Sequence, residues 1–321
     1  SSSQTQATFN NFIQMYEFTE EQIDWVLAEI SYSRKQLDSD LEQIKEWLKL
    51  QHHLPACRLK ESDNFLKNYL TGCKGSLEKT KRKLDAYYTF RSHSELFTNR
   101  DPLDPQYVQM RQLMTFAPVP VISEGRKIMF LFGSITKVDP EGFHFLPFLR
   151  AYLNCSELWL REVGIHPQLY LLGDYDKFTV QHLMKVKLLL VRDFVYYLLN
   201  EMPFRIAKIS WINCPPFIVA FINKWVKPFL SKKLRDRLYI TSNGIEEVIQ
   251  DLENVPLPEQ YGGDFPLRQL SEQWREEEAK RRQWYLNELS EQCDESKRVV
   301  SEDPTNPYFG VPGSLKRLVV D

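Results

Sequence analysis

The sequence lacks most of the features that would mark a secreted, membrane-spanning or catalytic protein. Its five cysteines, Cys57, Cys73, Cys155, Cys214 and Cys293, are widely spaced and form no C-x-x-C pair. That pattern is neither a disulfide framework nor a zinc site, so buried free thiols in a reducing compartment are expected. No apolar run approaches the ~18 residues needed to cross a bilayer. The polar stretch Ser1 to Asn11 has no signal-peptide character. A soluble, cytoplasmic protein is therefore expected. Charge of one sign is also scarce. The formal net charge is -2 over 321 residues, whereas a general nucleic-acid binder is normally basic, so no nucleic-acid partner is expected. There is no G-x-S-x-G elbow, G-x-G-x-x-G, P-loop or H-E-x-x-H. No catalytic residue, metal ligand or cofactor is assigned, and an enzyme is not expected.

What is present is a folded chain. Hydrophobic residues make up 43% and aromatics 13%, enough for a sizeable core. The most informative stretch runs from Pro203 to Arg237. A short β-like segment, Arg205 to Asn213, stops at Pro215-Pro216, because proline cannot donate to a sheet ladder. A helix is predicted from Phe217 to about Leu230. Phe217, Phe221, Trp225 and Phe229 form one row on it, and Ile218, Ile222 and Val226 the next. Lys232, Lys233, Arg235 and Arg237 follow directly. A helix apolar on most sides is ordinarily buried core. With a basic hem it also suits a lid over an apolar cavity that touches anionic membrane.

Elsewhere, helical spacing runs from Thr19 to about Arg91. Thr19 with Gln22 reads as a capping box, and Leu41, Ile44, Trp47 and Leu48 repeat a helical face. The basic run Lys79, Lys81, Arg82, Lys83 and Arg91 reads as a solvated face. The proline-bearing stretch Arg100 to Ser123 reads as a connector. Strands are predicted at Arg126 to Ile135, Gln168 to Gly173, Arg205 to Asn213 and Leu238 to Thr241, alternating with helices at Phe143 to Val163 and Phe178 to Asn200. That alternation predicts an α/β layer with a largely parallel sheet. After Phe265 a charged helix extends to about Lys297, with Glu276, Glu277, Glu278, Lys280, Arg281 and Arg282 read as solvent-facing. The tail from Asp303 carries Tyr308, Phe309, Leu315, Leu318, Val319 and Val320, which suggests that it packs. Asp174 and Asp176 in GDYD are assigned a structural turn, His182 no ligand role, and Cys214 a packing role.

Two sets of residues carry a family resemblance. Asp63-Asn64-Phe65-Leu66, Leu70, Cys73-Lys74 and Glu78-Lys79-Thr80-Lys81 resemble the helical N-terminal module of the CRAL-TRIO lipid-transfer family, the family of α-tocopherol transfer protein and cellular retinaldehyde-binding protein. Lys227-Pro228-Phe229-Leu230-Ser231-Lys232-Lys233 and Leu257-Pro258-Glu259-Gln260-Tyr261-Gly262-Gly263 resemble its lipid-binding domain, the latter as the L-P-x-x-Y-G-G turn that closes it. The tail is similar to the terminal segment of insect members. The implied organisation is a helical module over 1–99, a connector over 100–123, a CRAL-TRIO domain over 124–265, a charged helix over 266–297 and a tail over 298–321.

The resemblance implies a non-enzymatic carrier of a small hydrophobic lipid, such as a retinoid, carotenoid or tocopherol-like molecule. The lipid would lie in an apolar cavity gated by helix 217–230, with exchange at anionic membrane by a monomer. On the strands, the cavity set comprises Phe130, Phe132, Ile209 and Trp211. Alternation places Ala207 with the last two. Family positions add Leu149, Tyr152 and Ser156, where the Ser-Glu-Leu triplet matches, and Phe194, Tyr197 and Leu198. The gate adds Phe217, Ile218, Phe221, Ile222 and Trp225. Any of these apolar residues is also consistent with plain core. Arg205, Lys233 and Arg237 are similar to basic positions that hold a phosphoinositide headgroup in the tocopherol-transfer branch, while Ala207, Asn68 and Thr71 depart from that pattern. Lys208 sits where phosphatidylinositol-transfer relatives carry a lysine, but their acidic Asp-x-Glu-Gly partner reads GDYD here. An alternative is a lipid- or phosphoinositide-gated adaptor that acts through a protein partner on the charged C-terminal helix.

Overall fold

The computed structural model of the chain describes residues 12, 14–123, 128–252 and 254–299. The expected packing of the tail from Asp303 lies outside these residues. Four helices come first: α1 (Glu20–Glu29), α2 (Arg34–Leu50), α3 (Asp63–Gly72) and α4 (Leu77–His93). Each begins where a hydroxyl can accept an otherwise unpaired backbone N–H. Thr19 accepts from Gln22, Ser33 from Gln36, Ser62 from Phe65 and Ser76 from Lys79. At Thr19 the capping box is complete, since the Gln22 side chain accepts the Thr19 N–H in return. Their apolar faces meet in a core that includes Leu41, Ile44, Leu66, Tyr69 and Leu84. Leu149 and Leu153 from the following α/β layer join it, so the two parts share buried surface.

That layer is built on five strands in sequence order, β1 (Met114–Ile122), β2 (Ile128–Ile135), β3 (Gln168–Asp174), β4 (Ile206–Ile212) and β5 (Leu238–Ile240). β1 runs antiparallel to β2, and the other pairings are parallel. The helices around it are α5 (Pro105–Leu113), α6 (Phe145–Glu162), α7 (Val180–Met184), α8 (Leu188–Tyr196), α9 (Pro216–Phe221), α10 (Lys232–Arg235), α11 (Leu267–Lys280) and α12 (Arg282–Glu288). The expected connector over 100–123 is in fact α5 and β1. Its prolines do not prevent a strand because β1 is at the sheet edge, where a missing N–H breaks no ladder on the outer side. The edge is covered by α11, whose Ser271 hydroxyl accepts from the Phe116 N–H at 3.0 Å.

The charged C-terminal helix is only partly the solvated element its composition suggests, with Glu276, Lys280 and Arg282 exposed. It divides at Arg281 into α11 and α12, and Glu277 and Glu278 are buried. Glu278 is 3.2 Å from the Arg111 guanidinium and accepts the Tyr107 hydroxyl at 2.6 Å. Burial outweighs Arg111 here and leaves the Glu278 carboxyl above its ordinary range.

A second buried ionic group ties three regions together around Glu157 on α6. Its carboxylate pairs with Arg100 at 2.6 Å and with Arg91, and accepts hydroxyls from Tyr87 and Tyr197. Arg91 and Arg100 also reach Glu288 on α12, while Arg161 pairs with Glu61 at 2.8 Å. Arg91, read from sequence as part of a solvated face, is thus an interior cation, and its neighbour Lys83 donates to the Met202 carbonyl. Burial alone would raise the Glu157 carboxyl, but Arg100, Arg91 and Arg161 outweigh it and hold it well below the carboxylate range. Removing one partner from such a group strands the others in a dry interior. Glu157→Ala is expected to destabilise the fold by about 3–5 kcal/mol in denaturant titrations. A loss near that of an exposed pair would show that the arginines find water instead.

His166 gives the fold a pH dependence. It is buried, its ring lies 4.7 Å from that of Trp159, and burial pushes it down to about 4. Between pH ~6.5 and 4 the unfolded chain therefore takes up a proton that folded His166 refuses, and stability falls as pH falls, by up to roughly 3 kcal/mol. His166→Phe should flatten the melting temperature over that window; parallel profiles would place the proton uptake elsewhere.

Candidate functional site

One face of the sheet is not filled by core and floors a cavity of about 290 Å³, near the lower end of the ~300–1,000 Å³ typical of ligand pockets. The helix α6 supplies one wall, α8 another, and the Pro216–Leu230 segment the roof. The roof is not one regular helix. It is α-helical to Phe221, widens into a π-helical turn at Ile222–Val226 and tightens into a 3-10 turn at Lys227–Phe229. Ile218, Ile222, Val226 and Leu230 face inward with Phe221.

The floor has a specific shape. Phe116, Gly133, Gly173 and Trp211 stand in register across β1 to β4. The two side-by-side glycines let the Trp211 indole and the Tyr152 hydroxyl lie close against the strand backbone, with no room left for a side chain. A β-carbon on Gly173 would lie 2.7 Å from Trp211 Cδ1, and one on Gly133 would lie 3.0 Å from the Tyr152 hydroxyl oxygen.

The lining is apolar apart from a few groups. Burial pushes the Tyr152 and Tyr175 phenols up, so both are neutral O–H groups. Asp174, at the end of β3, borders the cavity with its oxygens engaged. It accepts from Asn213 Nδ2 at 2.9 Å, the Asp176 N–H at 3.0 Å and the Tyr261 hydroxyl at 2.8 Å. This links GDYD to the L-P-x-x-Y-G-G turn, where Gly262 takes φ +85°, a region closed to most side chains. His182 caps α7 through Thr179 and packs on Phe143 and Phe178. Cys214 is buried and free. Among the described residues, no group of His, Cys, Asp and Glu could hold a metal ion.

Of the predicted cavity residues, Leu149, Tyr152, Ser156, Phe194 and Leu198 line it from the helices, and Ile209 and Trp211 from β4. Ile218, Phe221 and Ile222 line it from the roof. Phe130 and Phe132 lie on the opposite sheet face, against Tyr170 at 4.9 Å and Tyr261 at 6.4 Å. Strand alternation sends them there, because their neighbours Leu131 and Gly133 face the cavity. Tyr197 packs into the N-terminal helical core beside Tyr87 and Phe97. Phe217 is absent from the lining, and Trp225 is 40% exposed, because the second apolar row rather than the first turns inward. Ala207 is displaced by a one-residue shift in the β3–β4 register, which sends Ile206 to the cavity in its place.

The four basic candidates are not gathered at one point. Arg205 is buried and pairs with Glu29 of α1 at 3.2 Å, and Arg237 donates to the Ile206 carbonyl. Lys233 is exposed. Lys208 is held by Asp251 at 2.5 Å, beside the ring of Tyr170. Sequence reasoning missed Gly133, Gly173 and Tyr175. An interior strand glycine is a recognised sign of close approach and marked the first two.

A helical module leads into an α/β domain whose apolar, helix-roofed cavity has the character of a small-molecule site. Residues 124–263 match the family described as CRAL/TRIO domain, and residues 33–107 match the Pinta-like, UBA domain. Clavesin-1 of Xenopus laevis is 25% identical over 243 residues, covering 74% of this chain and 71% of the relative. Clavesin-2 of Homo sapiens is 23% identical over 249 residues, covering 77% and 75%. The crystal structure of Sfh5 aligns at a TM-score of 0.42 with 7% identity, covering 67% of this chain and 83% of that one. Residues 124–263 thus form a CRAL-TRIO domain, of a family whose members bind and transfer lipids and are generally not enzymes.

Gly173→Val is expected to drive the Trp211 indole into the cavity and cut bound lipid by about tenfold or more, since a dry pocket tolerates overpacking poorly. Native mass spectrometry of the folded variant reads this directly. Undiminished occupancy would place the binding space away from Gly173 and Trp211.

Proposed function

We propose that this protein carries one small hydrophobic lipid, of the retinoid, carotenoid or tocopherol-like kind, in the cavity and exchanges it at anionic membranes by moving the Pro216–Leu230 roof. The observation that carries this reading is the cavity itself, apolar, about 290 Å³, and closed over by five aliphatic or aromatic side chains of a single segment. Burying roughly 400 Å² of such a lipid at ~25 cal/mol/Å² favours the complex by on the order of 10 kcal/mol before association costs. Release into water would then be slow, and contact with a membrane offers a hydrocarbon route out.

The outer surface supports that route. Trp225 is 40% exposed on the roof beside the Lys224 ammonium, and Leu189 on the adjoining α8 is 66% exposed. Lys232, Lys233 and Arg235 follow on α10, adding cationic charge for an anionic surface. No helix among the described residues is long and apolar enough to cross a membrane. The contact we propose is peripheral and on the cytoplasmic side. The adaptor alternative is less well served, because the helix it would use buries Glu277, Glu278, Trp274 and Tyr285 in the fold.

The two faces of the roof can be tested separately in a liposome transfer assay with no partner protein. Ile222→Asp puts a carboxylate over the dry cavity and should lower lipid retention by about tenfold or more. Trp225→Ser should leave retention intact and slow transfer to anionic vesicles by roughly threefold or more. Transfer that requires a protein partner, or equal behaviour of the two variants, would count against a membrane-gated carrier.

A further inference from the structure

The cavity has a direction and a length. Its lining on β4 runs from Ile206 to Trp211, a rise of about 16 Å in a strand. Its lining on α6 runs from Phe145 to Ser156, also about 16 Å along a helix. The helix α6 returns between the parallel strands β2 and β3 and so runs against them. Phe145 and Trp211 therefore lie at one end, with Tyr175 and Phe178, and Ser156 and Ile206 at the other. Spread over about 16 Å, a volume of about 290 Å³ leaves a mean section of about 18 Å². That is room for one hydrocarbon chain at carbon–carbon separations of ~4 Å, and not for two side by side.

Phe204 closes the end marked by Ser156 and Ile206. Its ring lines the cavity, with the Trp159 ring stacked on it at 6.0 Å and the His166 ring at 5.9 Å. Trp159 and His166 are buried and take no part in the lining, so they form a second layer behind the wall. The backbone on either side of Phe204 is fixed. Lys83 donates to the Met202 carbonyl at 2.6 Å, and the Arg205 carbonyl accepts from the Leu169 N–H at 2.8 Å. This end is a rigid stop, whereas the roof is the part that the carrier reading moves.

We propose that Phe204 is a specificity-determining residue that sets the length of lipid this protein takes, a single extended chain of roughly 14 carbons. An extended polypeptide advances 3.3–3.6 Å over three bonds, and about 16 Å at that rate corresponds to roughly 14 bonds. A two-chain lipid exceeds the section, and a longer chain meets the Phe204–Trp159 stack, which a close-packed interior does not let it push aside cheaply. The inference rests on the carrier reading above and narrows it.

The test incubates the whole protein with phosphatidylcholine–phosphatidylserine vesicles carrying equal amounts of linear decanol, tetradecanol and octadecanol. Alcohols recovered with the protein are quantified by mass spectrometry against the vesicle composition. A methylene passing from vesicle hydrocarbon into an apolar cavity changes surroundings little, so these ratios report fit rather than hydrophobicity. The wild type should take tetradecanol over octadecanol by about tenfold or more. Phe204→Ala, which removes a ring and opens room for about four more carbons, should bring octadecanol within about threefold of tetradecanol. Phe204→Trp should instead favour decanol over tetradecanol by about threefold or more. Ratios within one variant cancel any general loss of uptake, and either variant that melts cooperatively suffices. Equal selectivity in wild type and variants, no discrimination by the wild type, or loss of the cooperative melt in both variants would overturn the Phe204 assignment and leave the carrier reading standing. Recovery of no alcohol with the wild type would instead remove the carrier reading, and the length limit with it.

Discussion

The structure turns on α6 and the carboxylate of Glu157 at its centre. One side of this helix presents Leu149, Tyr152 and Ser156 to the cavity. A cavity wall has few protein neighbours on that side to hold it in place. The opposite side must therefore hold the helix in place. It does so through ions: Glu157 binds Arg91 and Arg100, and Arg161 binds Glu61. Around them lie Tyr87, Tyr197 and Phe65, which exclude water and strengthen every charge contact. Alternation of roles along adjacent residues makes this possible. Ser156 faces the hollow, and Glu157, one residue on, faces the ions.

The same group explains why the N-terminal helices and the C-terminal pair belong to one fold. Arg91 comes from α4, Arg100 from the segment after it, and Glu288 from α12. The α3 helix is fastened to the end of α6 by neutral bonds, with Asn64 donating to the Glu162 carbonyl at 3.1 Å and Asn68 to the Leu160 carbonyl at 3.0 Å. Asn68 is one of the positions that departs from the basic pattern of the tocopherol-transfer branch. Its amide is used here to satisfy helix-end carbonyls, which a helix otherwise leaves unpaired.

Much of this was legible in the residues, and the failures have physical causes. Capped helices and buried parallel strands carry strong periodic signals, and α1 to α4 and β2 to β4 follow them. β1 was hidden by Pro118 and Pro120, which argue against a strand until its edge position is known. Glu277, Glu278 and Arg91 read as solvated because charge in a helix usually is, and nothing local reveals a partner more than 100 residues away, such as Arg111 for Glu278. The residues expected on α6 do line the pocket, whereas on β2 Phe130 and Phe132 are the larger residues while Leu131 and Gly133 are the ones that face inward. Size drew the eye to the wrong parity.

The roof shows why pattern alone stops short of mechanism. Both of its rows step by four and both are apolar, so periodicity cannot say which one is inside. The structure resolves the matter with irregular geometry, a π-helical turn between an α-helical and a 3-10 turn. Such a turn weakens the regular ladder of hydrogen bonds at the middle of the segment, and π-bulges are frequent at functional sites. Five inward side chains hold the roof by apolar contact, and among the described residues no salt bridge involves residues 216–230. A lid held only by apolar contact loses little when hydrocarbon replaces the cavity as its neighbour, and much when water does. On the carrier reading proposed above, that asymmetry favours a membrane surface over bulk water as the place for the roof to open.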